Sequence, residues 1–208
     1  MDMESQYDQD GAAEQLSQSA KSASSAGELA NWTLKDGSVA AIRFICPVDE
    51  PLMVKFHETL SENSVYFRYL GPLRLSQRIA HRRLRRVCLN DYDHDLALVA
   101  VRRDARSREE EILAVGRLVK FEETGEAEFA LVVADACQGS GLGTYLLRWL
   151  IWMARNQGQR QVVGYILPDN RQMLRICEKL GFRRIHPPGD PVVKVELDLS
   201  AADANGPR

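Results

Sequence analysis

The sequence predicts an α/β protein built on a mixed, mostly antiparallel sheet with helices on both faces. Three observations predict it. Three apolar segments of strand length, 95–103, 111–121 and 127–134, follow one another through charged, turn-like links, as antiparallel neighbours do. A long helical pattern over 142–156 then separates the last of these from another apolar strand, 161–167, which makes a βαβ crossover. Helical patterns also precede the strand series, and together with the crossover they supply the layers that cover the sheet.

Each element has a local reason. "SVAAIRFIC" (38–46) reads as a strand. Asp49 as N-cap and Pro51 in the first turn open a helix through "LMVKFHETL". "LSQRIAHRRLRRVC" (75–88) reads as one basic amphipathic helix with Ser76 as its N-cap. The three strands "DLALVAVRR", "EILAVGRLVKF" and "AEFALVVA" come next. The helix Leu142 to Asn156 is ended by Gly158 as C′ residue. "QVVGYIL" is broken by Pro168 and Asp169, and "NRQMLRICEKL" (170–180) is a helix closed by Gly181. "FRRIH" and "VVKVELDL" (192–199) finish as strands, for an order of β-α-α-β-β-β-α-β-α-β-β. Residues 1–30 are rich in Ser, Ala, Gln and acids, and too poor in large apolar residues for burial to offset the entropy of ordering. They are expected to form a disordered tail, as are residues 201–208, leaving 31–200 as one domain.

Composition narrows the function. The chain has 208 residues, 45% hydrophobic content, and 27 basic against 29 acidic residues, for a net charge of −2. A general nucleic-acid binder would be strongly basic, so nucleic acid is not expected as a partner. Cys46, Cys88, Cys137 and Cys177 are scattered, with no CxxC pair and no Cys/His cluster at ligand spacing. They read as reduced thiols of a cytoplasmic protein, with no metal expected. No basic-then-apolar leader and no apolar run of roughly 20 residues is present, so a membrane is not expected either.

The most informative stretch is "EAEFALVVADACQGSGLGTYLLRWLIWMARNQG", with glycines at 139, 141 and 143 between a strand and a helix. A P-loop would need Lys after Gly143, where Thr144 stands. A dinucleotide turn would need GxGxxG and an acid about 20 residues on; the spacing here is GxGxG, and no acid lies between Asp135 and Asp169. "QGSGLG" instead fits the Q/RxxGxG/A element that grips the pyrophosphate of coenzyme A. With "ILPDNRQMLRICEKLGF" following one strand later, the chain resembles the GNAT superfamily of acyl-CoA N-acyltransferases over about residues 38–199. It is most similar there to the acetyltransferase domain of bacterial protein-lysine acetyltransferases that modify acyl-CoA synthetases. The stretches "IRFICPVDEPLMVKFHETLSENSVYFRYLGPLRLS", "DYDHDLALVAV" and "AEFALVVAD" carry that likeness.

The resemblance implies a GNAT fold, acetyl-CoA as cosubstrate and an amine as acceptor. Residues Gln138, Gly139, Ser140, Gly141, Leu142, Gly143 and Thr144 would hold the diphosphate. Physics agrees, since glycines admit close backbone approach and a helix N-terminus suits an anion. Leu131, Val132 and Val133 would offer their backbone to the pantetheine amides, on a strand that splays from its neighbour. Asn170 matches the Asn that contacts the pantetheine arm, although Asn is also a favoured N-cap; Asp169 is the other candidate for the cap. Glu128, inside an apolar strand, matches the catalytic base. A lysine amine has a pKa near 10.4 in water and needs a carboxylate to take its proton before attack. Glu126 shares that strand face by period-2 alternation. Cys177 stands where many members place a Tyr that protonates the departing thiolate, and reads as core packing instead.

The expected activity is acetyl-CoA-dependent N-acetylation, with lysines of proteins such as acyl-CoA synthetases as acceptors, in a monomer or homodimer. Two alternatives stay open: acetylation of a small amine or amino acid, and a catalytically silent acetyl-CoA sensor. The run "HRRLRRVC" reads as a solvated basic face or a dock for an acidic protein, and Trp149 and Trp152 as buried against the sheet or another chain.

Overall fold

The computed structural model describes residues 27–89, 91, 94–104 and 108–200. Apart from residues 27–30, the two expected disordered tails lie outside the described residues. One sheet runs in the order β1-β2-β3-β4-β5-β6-β8-β7. Its strands are β1 (Ala30–Thr33), β2 (Val39–Phe44), β3 (Asp95–Arg103), β4 (Glu110–Phe121), β5 (Glu126–Val133), β6 (Gln161–Ile166), β7 (Arg183–Ile185) and β8 (Val193–Asp198). Its helices are α1 (Glu50–Thr59), α2 (Glu62–Tyr69), α3 (Leu75–Arg78), α4 (His81–Cys88), α5 (Leu142–Asn156) and α6 (Arg171–Lys179). All pairings are antiparallel except β5 with β6, the strands joined by the α5 crossover.

Period-2 alternation divides the core. From β3, Leu96, Leu98 and Ala100 join the cluster under α5, while Ala97, Val99 and Val101 join the cluster under α1 and α4. On α5, Leu142, Leu146, Leu147 and Leu150 are fully buried, and half-buried Trp149 and Trp152 meet edge to face at 5.4 Å. Leu174 and Cys177 bring α6 into the same cluster. The expected α/β sheet covered on both faces is therefore the observed one.

Four local expectations need correction. The boundary at residue 31 falls inside β1, a strand the sequence reading left out. Leu29 N donates to Ile42 O at 2.8 Å, and the Trp32 ring stacks on Tyr145 with centroids 4.7 Å apart. The helix α2 was also left out; Ser61 caps it by accepting from Ser64 N. Asp49 does hold the N-cap position of α1, but its carboxylate makes no cap bond. It forms a bidentate pair with Arg43 at 2.7 and 2.8 Å and accepts from Cys46 N at 2.9 Å. Finally, 75–88 is two helices, not one, and Ser76 lies within α3 rather than capping it. The chain is extended at Ala80, and just ahead of that break the buried Arg78 donates from Nη1 to His57 O at 2.7 Å.

His57 is buried beside that contact, and its Nδ1 has no hydrogen-bond partner among the described residues. Burial, then the nearby Arg78, Arg68 and Arg83, lower its pKa to about 4. The unfolded chain protonates this imidazole below about pH 6.5, whereas the folded chain resists down to about pH 4. The unfolded state therefore binds more protons in that window, so stability falls as pH drops through it. Replacing His57 with Phe is expected to flatten that part of the pH dependence in denaturant melts. An unchanged slope would place the proton uptake elsewhere.

Candidate functional site

The site is made by a fork in the sheet. β5 and β6 pair over only three positions, Glu126 with Gln161, Ala127 with Val162 and Glu128 with Val163. Beyond Glu128, β5 continues to Val133 along β4 but leaves β6, so its far edge has no strand partner among the described residues. Phe129, the first residue past the fork, lays its ring over Gly164. A Cβ at Gly164 would sit 2.4 Å from the ring. Phe129 meets Phe182 edge-on at 5.5 Å, giving the opening an apolar floor. The resulting cleft holds about 1000 Å³.

The expected site residues gather here. Glu128, Leu131, Val132, Val133, Gln138, Gly139, Gly141, Gly143, Thr144 and Asn170 all line the cleft. Leu142 does not; its side chain is fully buried in the core. Ser140 is also outside the lining, and its hydroxyl donates to Cys137 O at 2.6 Å.

The two carboxylates that periodicity could not separate differ in their surroundings. Glu126 accepts a short hydrogen bond from Gln161 Nε2 and lies 3.5 Å from Lys194 Nζ. Glu128 is half-buried at the fork, and its carboxylate has no hydrogen bond or ion pair among the described residues. The guanidinium of Arg68 on α2 interacts with it electrostatically without forming an ion pair. A carboxylate with open lone pairs in a cleft is placed to meet an incoming amine; one engaged by an amide and an ammonium outside the cleft lining is not.

The loop between β5 and α5 forms a nest of donors. Gly139 (φ 69°) and Gly141 (φ 88°) adopt left-handed backbone, which glycine reaches without steric cost. Among the described residues, no protein acceptor is found for the N–H groups of Gly139, Ser140, Gly141, Gly143 and Thr144. No acidic residue stands in the first turn of α5 to neutralise them. Such a concavity at a helix N-terminus binds anions. A Cβ at Gly143 would press Val133 Cγ2 at 3.2 Å, so its smallness lets α5 close on β5.

Side chains that sequence reasoning missed hold this loop in place. Asp135 accepts from Ser61 N at 3.0 Å, Ser61 Oγ at 2.6 Å and Ser64 Oγ at 2.9 Å, tying α2 to the loop. Burial alone would raise the Asp135 pKa, but those bonds outweigh it and lower the pKa below the usual carboxylate value. The Gln138 amide is engaged too, donating to Ser64 Oγ at 2.9 Å and Val133 O at 3.2 Å. Trp32 backs Gly141, where a Cβ would lie 2.9 Å from its ring. Ser61 before a helical turn was the readable signal; its tie to Asp135, 74 residues away, was not.

Asn170 is the N-cap of α6, accepting from Met173 N at 3.1 Å, and its amide nitrogen is left for the cleft. Cys177 is buried, and burial pushes its thiol up to about 12, which fits packing and not proton donation. Tyr69 and Tyr165 are the phenols that line the cleft. No group of three or more His, Cys, Asp or Glu among the described residues is arranged to hold a metal ion, and no helix among them is long and apolar enough to cross a membrane.

Comparison with known proteins gives the family and the fold. Residues 40–183 match the family described as acetyltransferase (GNAT) domain. An acetyltransferase of Pseudomonas aeruginosa is 33% identical over 175 residues, covering 83% of this chain and 91% of that protein. The GNAT domain of S. lividans PAT superposes with a TM-score of 0.70 at 29% identity, over 81% of this chain and 96% of that one. The fold is shared by yncA of Salmonella typhimurium, solved with its cofactor acetyl-CoA, with a TM-score of 0.55 at 20% identity over 80% of this chain and 97% of that one.

Proposed function

Because the chain belongs to the GNAT acetyltransferase family and is an N-acetyltransferase of that type, we propose that it moves the acetyl group of acetyl-CoA to lysine side chains of proteins, with Glu128 as the base. The observation that carries this reading is the fork: a free carboxylate at its apex, an unpaired strand edge beyond it and a nest of N–H donors at its mouth.

The diphosphate of acetyl-CoA sits on the N–H groups of Gly139 to Thr144, where backbone dipoles and the helix N-terminus favour its charge. The pantetheine arm lies along β5 at Leu131, Val132 and Val133 as an added strand, with Asn170 beside it. That placement brings the thioester toward Glu128. Glu128 takes a proton from the acceptor ammonium, directly or through water, and the neutral nitrogen attacks the carbonyl carbon. A backbone N–H near Leu131 holds the oxyanion. The new C–N bond forms, the C–S bond breaks, and the second proton of the nitrogen passes through water to the leaving thiolate, since Cys177 is buried away from it.

The protein acceptor is supported by the sequence resemblance to bacterial protein-lysine acetyltransferases. Acyl-CoA synthetases are the first acceptors to try. Incubating the protein with radiolabelled acetyl-CoA and a bacterial extract is expected to label protein bands. Label only on small molecules would assign a small amine as acceptor, and no label anywhere would leave a sensor.

A further inference from the structure

A second hollow of about 950 Å³ adjoins the cleft, between α1, α4 and strands β3 and β4. The two share a wall: Arg68, Tyr69 and Val132 line both. The second hollow is lined by six arginines, Arg68, Arg82, Arg83, Arg85, Arg86 and Arg117, against two aspartates, Asp91 and Asp95. Asp95 is already taken: it pairs bidentately with Arg117 and lies 4.0 Å from Arg86. Asp91 lies 3.1 Å from His94. The guanidinium groups of Arg68 and Arg83 have no hydrogen bond or ion pair among the described residues. Instead their guanidinium carbons lie 5.0 and 4.9 Å from the centroid of the same Tyr69 ring.

That arrangement is costly as it stands. A half-buried guanidinium without an acceptor loses water and gains only the face of a phenol. Burial, with Arg117 and Arg83 nearby, lowers the Arg68 pKa, and the same positive field acts on His57. Glu128 offsets Arg68 only from a distance, since no ion pair joins them. A carboxylate entering from outside would supply the acceptor these guanidinium forks lack, in a charge-assisted pair.

We propose that the hollow is an acceptor subsite that binds a carboxylate on the acceptor molecule through the guanidinium groups packed on Tyr69, those of Arg68 and Arg83, across the wall it shares with the cleft that holds Glu128. The inference rests on the reading of the fork as the transfer site. Its ligand chemistry has two sources: an Asp or Glu side chain beside the acceptor lysine of a protein, or the carboxylate of a free amino acid.

Calorimetry on the CoA-loaded protein reads the subsite without turnover. Two matched pairs serve as probes. The peptides acetyl-Asp-Lys-Asp-amide and acetyl-Asn-Lys-Asn-amide differ only in side-chain charge, and lysine and lysinamide differ only in the carboxylate. The acidic member of at least one pair is expected to bind about 10-fold tighter or more at low salt, and the advantage should shrink as salt screens it. Arg83→Glu, on an exposed face of α4, should abolish or reverse the preference. A CoA-induced thermal shift retained in that variant shows that it is folded. The peptide pair responding assigns a protein source, and the lysine pair responding assigns a free amino acid. Equal binding within both pairs, or a preference unchanged in Arg83→Glu, would overturn the inference. Acetyl transfer to the same four probes tests the other reading separately: binding preference without transfer to any of them would leave the subsite standing and remove the proposed acceptors.

Discussion

Glu128→Gln is expected to lower turnover by about 10²–10⁴-fold, the range of a positioned general base, while CoA affinity stays nearly the same. The swap keeps the side-chain shape and removes only the basic oxygen. It breaks no hydrogen bond or ion pair, because none is described for Glu128, so stability should hold. The loss should shrink at high pH, where acceptor amines with pKa near 10.4 deprotonate without help. Glu126→Gln serves as the contrast. It loosens a contact with Lys194 at 3.5 Å and one with Gln161, outside the cleft lining, and should change turnover much less. Steady-state rates from pH 6 to 10 for both variants check this. An unchanged rate in Glu128→Gln would move the base to another residue or show that the amine arrives neutral.

The second large effect is expected from Gly139→Asp. Gly139 has φ 69°, a conformation that Asp tolerates better than most residues, and a Cβ there would meet nothing within 4 Å. The variant should therefore fold. Its carboxylate would stand in the donor nest, where like charge repels the CoA diphosphate, and affinity is expected to fall by about 100-fold or more. Isothermal titration with CoA measures it. Gly141 is a poorer place for the same test, because a side chain there would strike Trp32 at 2.9 Å and strain a backbone at φ 88°. Undiminished CoA binding in Gly139→Asp would place the diphosphate elsewhere.

The β5–loop–α5 unit was legible because its signals are local. An apolar run, three spaced glycines and a helix ended by Gly158 are written within one continuous segment. The fold around it was legible from the same kind of pattern, down to the ends of β3 and α5. What was not legible depends on distant partners. The strand β1 has four residues and is ordered by pairing with β2 and by the Trp32 ring against Tyr145. The helix α2 shows only a weak apolar stripe, and Asp135 ties down its first turn from 71 to 74 residues away. The break at Ala80 accompanies an inward arginine that no amphipathic pattern announces. Periodicity put Glu126 and Glu128 on one face; Gln161 and Lys194, brought in by β6 and β8, are what distinguish them.

The central claim is that the fork between β5 and β6 is a coenzyme A site. Thermal unfolding of the full chain with and without CoA tests it most directly. At a CoA concentration about 100 times the dissociation constant, binding to the folded state alone adds roughly 2.7 kcal/mol. The account predicts a rise of several degrees in the melting midpoint, with Gly139→Asp failing to show it at the same concentration. A midpoint that does not move with CoA or acetyl-CoA at any concentration up to millimolar would contradict the account at its base.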